Sequence, residues 1–219
     1  MRKTGMSTDL LLRRASAGLP CWVRDATGTR RALPLDRWMG GASASLADRI
    51  ADRVMLAGCH GATVDLGCGP GRLTAALVSA GVTALGVDSS VTAVQLTIRR
   101  GGVALHSDIF APLPRSGNWD RVLLADGNIG IGGEPVRVLS RARELLQPHG
   151  IVIAEVDPPT TAGVRRELLR WETEHLAGDW FAWASVGVAA ASEVARAAGL
   201  RVIDVLQHAN RHFVRMEWA

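Results

Sequence analysis

Val64-Asp65-Leu66-Gly67-Cys68-Gly69-Pro70-Gly71-Arg72-Leu73 is the stretch of sequence that decides the fold. Its pattern is typical of a short apolar strand, a glycine-rich turn and the start of a helix. Glycines allow positive φ angles and a close approach of the backbone to a ligand, and the start of a helix offers unpaired N–H groups to an anion. The stretch therefore predicts a binding site for a carboxylate or a phosphate.

Two common nucleotide patterns do not fit this turn. A dinucleotide fingerprint needs its third glycine at position 72, where the chain has Arg72. A phosphate-binding P-loop needs a lysine after its last glycine, and the chain has no lysine after Lys3. The pattern disfavours a nicotinamide dinucleotide and excludes a P-loop.

Around the turn, short apolar runs alternate with helical stretches. Strands are predicted at 63–66, 84–87, 103–106, 121–125 and 151–156, and helices at 73–80, 91–99 and 135–146. This alternation is typical of a parallel sheet covered by helices on both faces, so the predicted fold class is α/β. The strand-like runs 201–207 and 211–218 are separated by three residues and must pair antiparallel.

The N-terminal part does not follow this alternation. Residues 1–43 are predicted to be an appendage with a short hairpin, in which 21–24 and 31–35 flank a turn. The main domain is then expected at 44–219.

Two further segments of the main domain are distinctive. Ser45 is the expected cap of its first helix, because Asp48 completes a capping-box pattern. Residues 158–186 are predicted to be an insert that contains several aromatic side chains. The pattern leaves 164–176 open between helix and strand.

Composition limits the class of protein. A chain of 219 residues with 47% hydrophobic and 21% charged residues is typical of one soluble globular domain. The three cysteines form no Cys-x-x-Cys pair, so neither a disulfide framework nor a metal site is expected. The apolar run near the N-terminus is short for an export signal, and no run predicts a membrane span, so a cytoplasmic location is expected.

Charge disfavours a nucleic-acid partner. The formal net charge is +4, and residues 1–56 hold ten basic and five acidic side chains. These basic residues are not interleaved with aromatic residues as in a strand-binding groove.

Carboxylates follow the predicted strands next to the turn. Asp88 ends the second strand, where a carboxylate can accept both hydroxyls of a ribose. Asp108 and Ile109 follow the third strand, where the edge of an adenine would lie. Ligands of open α/β sheets bind at these carboxyl ends, so one nucleoside site is predicted.

Four motifs together resemble the class I S-adenosylmethionine-dependent methyltransferases over roughly residues 60–218. They are Asp65-Leu66-Gly67-Cys68-Gly69-Pro70-Gly71, Gly86-Val87-Asp88, Ser107-Asp108-Ile109-Phe110 and Leu124-Ala125-Asp126-Gly127. The resemblance implies a Rossmann-like three-layer sandwich, with a seven-stranded, mostly parallel sheet and an antiparallel C-terminal strand. It also implies S-adenosylmethionine as the cofactor.

The resemblance assigns roles by position. The glycines would wrap the methionine end, Asp65 would support the turn, Asp88 would take the ribose, and Asp108 with Ile109 would take the adenine. The expected cofactor-binding residues are Asp65, Gly67, Cys68, Gly69, Gly71, Asp88, Ser89, Asp108, Ile109, Ala125 and Asp126.

The sequence departs from one subclass of this family. Many members that methylate amino groups carry Asn/Asp-Pro-Pro-aromatic after the fourth strand, whereas this chain has Asp126-Gly127-Asn128-Ile129. Methylation of nucleic-acid bases is therefore disfavoured. The glycine-rich run and the aromatic segment near Trp180 look similar to actinobacterial small-molecule methyltransferase-like proteins, so a small-molecule acceptor is expected.

Methyl transfer depends chiefly on alignment of the acceptor, and a general base helps only if the acceptor must lose a proton. Asp126 and Asp157 follow strand ends and are the catalytic candidates. Alternatively, Asp126 hydrogen-bonds a glycine turn and Asp157 is a solvated loop residue.

The aromatic residues and the absence of a convincing catalytic residue leave alternatives open. Trp171, Trp180, Phe181 and Trp183 form either an acceptor lid, ordinary core or the surface of a homodimer. A non-catalytic module that binds S-adenosylmethionine, as a sensor or scaffold, is the alternative to an enzyme.

Overall fold

The computed structural model describes residues 6–219, excluding the side chain of Ser43. The helices are α1 (Thr8–Ser16), α2 (Leu35–Met39), α3 (Leu46–Leu56), α4 (Arg72–Ser79), α5 (Val91–Arg99), α6 (Pro135–Leu145) and α7 (Ala191–Ala197). The strands are β1 (Trp22–Asp25), β2 (Arg30–Ala32), β3 (Thr63–Leu66), β4 (Ala84–Asp88), β5 (Ala104–His106), β6 (Trp119–Leu124), β7 (Leu146–Val156), β8 (Val164–Glu172), β9 (Phe181–Val186), β10 (Leu200–His208) and β11 (Arg211–Trp218). In the described residues, none of the helices is long and apolar enough to cross a membrane.

The central sheet has seven strands in the order β10-β11-β7-β6-β3-β4-β5. The pairs among β7, β6, β3, β4 and β5 are parallel, and β11 runs antiparallel to both β7 and β10. The predicted α/β class and the antiparallel C-terminal strand are confirmed. The last strand lies between β7 and β10, so the terminal hairpin joins the sheet through β11.

Apolar residues of the central strands alternate between two cores. Val122 and Leu124 of β6 pack with Leu139 of α6, whereas Leu123 between them belongs to the core that contains Leu73 of α4. All five side chains are buried. Because successive residues of a strand point to opposite faces, helices cover both faces and the fold is a three-layer sandwich.

A second, four-stranded sheet has the order β2-β1-β8-β9, and all of its pairs are antiparallel. The hairpin predicted near the N-terminus is β1 with β2, and β1 also pairs with β8, with Val23 opposite Trp171. The undecided segment 164–176 is thus mainly strand. Residues 1–43 as an appendage, 44–219 as the domain and 158–186 as its insert stay predictions, but strands from both flanking segments form this single sheet.

The helix α3 begins where the capping pattern predicts. The Ser45 hydroxyl accepts a hydrogen bond from the backbone N–H of Asp48 at 3.0 Å and donates one to its carboxylate at 2.7 Å. Such a cap stabilises a helix by about 1 kcal/mol.

Close backbone contact joins the second sheet to the loop after β6. A Cβ atom on Gly130 would lie 1.8 Å from the carbonyl oxygen of Ala184 in β9. We expect Gly130→Ala to force the two segments apart and to destabilise the protein by about 3 kcal/mol or more, measured by urea unfolding.

Gly132→Ala is the matched control in the same loop. Gly132 has a φ of 71° but open space around a Cβ, so only backbone strain of about 1 to 2 kcal/mol is expected. An equal or smaller loss for Gly130→Ala would contradict a close contact between the loop and β9.

Candidate cofactor-binding site

The glycine turn adopts backbone conformations that favour glycine. Gly67, Gly69 and Gly71 have φ angles of 76°, 53° and 80°. A Cβ on Gly67 would lie 2.6 Å from the amide nitrogen of Asn128, and one on Gly71 would lie 2.4 Å from the hydroxyl of Thr97. Above Gly69 nothing lies within 4 Å of a Cβ position. Two glycines therefore permit close packing, and the middle one leaves the backbone open to a ligand.

Asp88 connects this turn to the end of β4. Its carboxylate accepts hydrogen bonds from the backbone N–H groups of Gly69 at 2.9 Å and Ser90 at 2.8 Å. Burial raises the pKa of Asp88 above its ordinary value, although these two hydrogen bonds act to lower it. An ionised carboxylate has about four acceptor positions, so two remain for a ligand's hydroxyl groups.

Asp108 and Ile109 lie beside Asp88, at the end of β5. The carboxylate of Asp108 accepts the N–H of Phe110 at 2.9 Å, and Ile109 is buried. Asp88, Ser89, Asp108 and Ile109 all line the same cavity as Gly69. The structure therefore brings together the residues predicted at three successive strand ends.

Asp65 is buried beneath the turn and does not line the cavity described above. Its carboxylate accepts a hydrogen bond from the Thr74 hydroxyl at 2.7 Å. Burial raises the pKa of Asp65 to about 6. From this position Asp65 can support the turn through its hydrogen bond with Thr74 of α4.

Cys68 lines the cavity but is buried. Burial raises the pKa of its thiol, and its sulfur lies 2.7 Å from the Cβ position of Gly86. The neutral thiol is therefore favoured over the thiolate. Gly71 and Ala125 lie next to lining residues but do not line the cavity themselves.

Arg72 binds two carboxylates at the start of α4. Its guanidinium contacts Asp52 of α3 at 2.9 Å and 3.1 Å, and Asp126 at 2.5 Å and 3.2 Å. Arg37 of α2 lies 3.4 Å from the same Asp126 carboxylate. The arginine that breaks the dinucleotide pattern thus holds α3, α4 and the end of β6 together.

Arg211 of β11 extends this ion network. Its guanidinium pairs in bidentate fashion with Glu155 of β7, at 2.8 Å for each bond, and with Asp52 at 2.7 Å. Glu155 in turn accepts the backbone N–H of Asp126 at 2.8 Å. Three arginines face three carboxylates, so the formal charges of the network balance.

These contacts determine the chemistry of Asp126, the first catalytic candidate. Burial favours its protonated form, but Arg72, Arg37 and Arg211 outweigh burial and lower the pKa of Asp126. Its φ of 52° is a left-handed conformation held by the Glu155 contact. A carboxylate so paired is a weak proton acceptor, which disfavours Asp126 as a general base.

Asp157, the second candidate, lies outside the cavity lining. Its backbone N–H donates to Val186 at 2.8 Å, and it forms an isolated bridge with Gly187. The structure gives Asp157 a connecting position between β7 and β9. Among residues 6–219, no group of three His, Cys, Asp or Glu residues could hold a metal ion.

A roof of apolar side chains covers the strand ends. It consists of the cavity-lining residues from α1, α2 and the second sheet with its connections: Thr8, Leu11, Leu12, Val23, Leu33, Trp38, Leu169, Trp171, Phe181 and Trp183. We call the opposite side the floor; it consists of Gly67, Cys68, Gly69, Pro70, Arg72, Asp88, Ser89, Asp108, Ile109, Asp126, Asn128 and Ile131. Roof and floor enclose a cavity of about 480 Å³.

Three of the four aromatic residues singled out in the sequence belong to this roof. The rings of Trp171 and Phe181 lie 4.6 Å apart, and Phe181 and Trp183 lie 6.4 Å apart. Trp180 is 45% exposed and is covered by Arg170 at 4.8 Å instead.

Asn128 lines the cavity, and its amide donates to the carbonyl oxygens of Leu66 at 2.9 Å and Gly67 at 2.8 Å and so fixes the turn. Sequence reasoning missed several lining residues of the roof. Trp38 and the leucines of α1 gave no local signal, because they reach the cavity only through tertiary packing.

The raised pKa of Asp65 predicts a pH-dependent stability. Because the folded pKa of about 6 exceeds the unfolded value, this group's contribution is fully present below the unfolded pKa and is lost as pH rises through 6. Relative to Asp65→Asn, the wild type should lose up to about 3 kcal/mol of unfolding free energy between pH 3 and pH 7. Urea unfolding across this range measures the difference, and a constant difference would contradict the burial of an ionisable Asp65.

Removal of Arg72 should destabilise the ion network. Arg72→Met leaves Asp126 without its closest cation, and we expect a loss of about 3 to 5 kcal/mol in urea unfolding. Arg201→Met, which removes the exposed pair with Glu217, is the control and should cost no more than about 1 kcal/mol. Similar losses in the two variants would show that the network contributes little.

Comparison with known proteins shows what this chain is similar to. Residues 64–154 match the family model described as a methyltransferase domain. None of the curated proteins matches the chain. The match confirms the predicted enzyme class, methyltransferase.

Solved structures show the same fold. A S-adenosylmethionine-dependent methyltransferase from Bacteroides fragilis, in complex with S-adenosyl-L-homocysteine, is similar with a TM-score of 0.76 and 16% identity, over 99% of this chain and 98% of that one. The 1,6-didemethyltoxoflavin-N1-methyltransferase of Burkholderia thailandensis is similar with a TM-score of 0.61 and 19% identity, over 80% of this chain and 79% of that one. The CcbJ methyltransferase from Streptomyces caelestis is similar with a TM-score of 0.60 and 16% identity, over 82% of this chain and 99% of that one. Residues 64–154 therefore match a methyltransferase domain, and the chain has the class I fold of the S-adenosylmethionine-dependent methyltransferases, as the sequence resemblance implies.

Proposed function

We propose that the protein transfers a methyl group from S-adenosylmethionine to a small-molecule acceptor. The observation that carries the proposal is that three successive strand ends supply the open Gly69 backbone, Asp88 and Asp108 to one cavity. The Burkholderia thailandensis structure contains 1,6-didemethyltoxoflavin and S-adenosylhomocysteine, which supports a small acceptor for this fold. A homodimer, the absence of a nucleic-acid partner and a cytoplasmic location stay predictions.

The residues of the floor fit the cofactor. The free backbone around Gly69 and the start of α4 suit a carboxylate, the two unused acceptor positions of Asp88 suit a ribose, and Ile109 offers an apolar surface to a base. S-adenosylmethionine, when bound, supplies a methyl group attached to a positively charged sulfur.

The chain then contributes position and exclusion of water. Asn128 and Asp88 fix the turn from its two sides through their hydrogen bonds. The roof covers the floor with leucine and aromatic side chains. Alignment of the reacting atoms in such an enclosed site can contribute about 7 to 11 kcal/mol. The cavity extends from the floor to a separate apolar roof, which favours an acceptor site over a module that only senses the cofactor.

Asp88→Ala tests the cofactor assignment. It removes two charge-assisted hydrogen bonds to the ribose, each worth about 1.5 to 3 kcal/mol, so binding of S-adenosylhomocysteine should weaken by at least about 100-fold. Isothermal titration calorimetry measures the affinity, with thermal unfolding as a check on the fold.

Asp204→Ala, on the far edge strand β10, is the matched control and should bind like the wild type. Equal affinity of Asp88→Ala and the wild type, or no binding by the wild type, would contradict the proposal. Mass spectrometry with isotopically labelled S-adenosylmethionine then detects the methylated acceptor.

A further inference from the structure

We propose that the roof binds an uncharged, planar aromatic acceptor and that the methyl group goes to an uncharged nitrogen of that acceptor without an enzymatic general base. This inference rests on the proposed methyl transfer and adds the chemical class of the acceptor. It comes from three features of the cavity: the absence of charge in the roof, the arrangement of the rings, and the state of the carboxylates in the floor.

The roof offers no counter-ion to a charged acceptor. Its lining residues are leucines, a valine, aromatic residues and Thr8, and none of these described residues is ionisable. The Thr8 hydroxyl accepts the indole N–H of Trp171 at 3.2 Å, so this polar group already has a partner. A charged group placed there would lose its hydration without gaining an ion pair, which strongly disfavours its binding.

The rings present a connected aromatic surface. Trp171 contacts Phe181 at 4.6 Å, Trp38 packs edge-on against Trp171 at 6.4 Å with an interplanar angle of 80°, and Trp183 packs edge-on against Phe181. Rings prefer offset-stacked or edge-to-face partners, so this surface favours a flat aromatic molecule over a saturated one.

The floor offers no available base. Asp126 is held by Arg72, Arg37 and Arg211, and its backbone N–H contacts Glu155. Asp88 and Asp108 accept backbone N–H groups at the predicted nucleoside positions. None of the described lining residues is a histidine. A hydroxyl oxygen is a weak nucleophile until it loses its proton, whereas the lone pair of an uncharged nitrogen is nucleophilic without this step.

The transfer balances without a base. The nitrogen lone pair forms the new C–N bond while the C–S bond breaks, and sulfur keeps the bonding pair as a neutral thioether. The positive charge moves to nitrogen, next to the electron-rich faces of the roof rings. If the methylated nitrogen carries a proton, it then releases this proton to water. A methylated nitrogen without a proton keeps its positive charge.

Binding of matched probes tests the roof. With S-adenosylhomocysteine present, calorimetry compares an aminoquinoline (planar and uncharged), a quinoline carboxylate (planar and charged) and decahydronaphthol (uncharged and saturated). We expect the aminoquinoline to bind at least tenfold more tightly than either other probe. Equal or tighter binding of the carboxylate or of decahydronaphthol would overturn the proposal.

Matched tryptophan variants locate this binding. Trp183→Ala should weaken aminoquinoline binding about tenfold, whereas Trp180→Ala, outside the cavity, should not change it. Unchanged affinity of the aminoquinoline for Trp183→Ala would overturn the role of this side chain.

Methyl transfer tests the nucleophile. Labelled methyl should reach the nitrogen of an aminonaphthalene and not the oxygen of the matching naphthol, and Asp157→Asn should leave the rate unchanged. Transfer to the hydroxyl, or to neither compound, would contradict the nitrogen assignment. S-adenosylhomocysteine binds the floor in every variant of the roof, so its affinity reports separately on the proposed function.

Discussion

The buried ion network around Arg72 is the interaction on which the rest of the structure depends. It joins α3 through Asp52, the end of β6 through Asp126, and β11 through Arg211, which in turn binds Glu155 of β7. Each of these charges would be costly to bury alone, and each has at least one partner of opposite sign. Arg72 directly follows the glycine turn and lines the cavity together with Asp126, so the position of the floor follows from the pairing of these charges.

The same network links floor and roof. Arg37 of α2 lies 3.4 Å from Asp126, and its neighbour Trp38 lines the cavity from the opposite side. A change in the pairing of Asp126 would therefore reach the roof through two adjacent residues. This coupling also explains why a carboxylate in a position suited to catalysis is committed to structure: its three arginine neighbours hold it ionised and in place.

Local sequence was enough to predict the strand ends at the centre of the floor, because each of these parts is a short-range feature. The glycine turn, Asp88 and Asp108 follow predicted strands directly, and parallel strands present their carboxyl ends at one edge of a sheet. The second sheet had no such signal. Its strands β1 and β8 are far apart in the chain, and β8 mixes arginines and glutamates with Leu169 and Trp171, so its pattern indicates neither helix nor strand. Only tertiary pairing with β1 decides its conformation.

The floor and the roof therefore differ in how far the sequence alone indicates their ligands. In the proposed function, the floor recognises groups that every S-adenosylmethionine molecule carries, so a short motif is sufficient to indicate its ligand. The roof is assembled from α1, α2 and strands of both flanking segments, and its chemistry appears only when Trp38, Trp171 and Trp183 meet. Because these side chains supply surface and no charge, they select the acceptor by shape and by its lack of charge. The carboxylates of the floor are already paired, so the acceptor must be nucleophilic without their help.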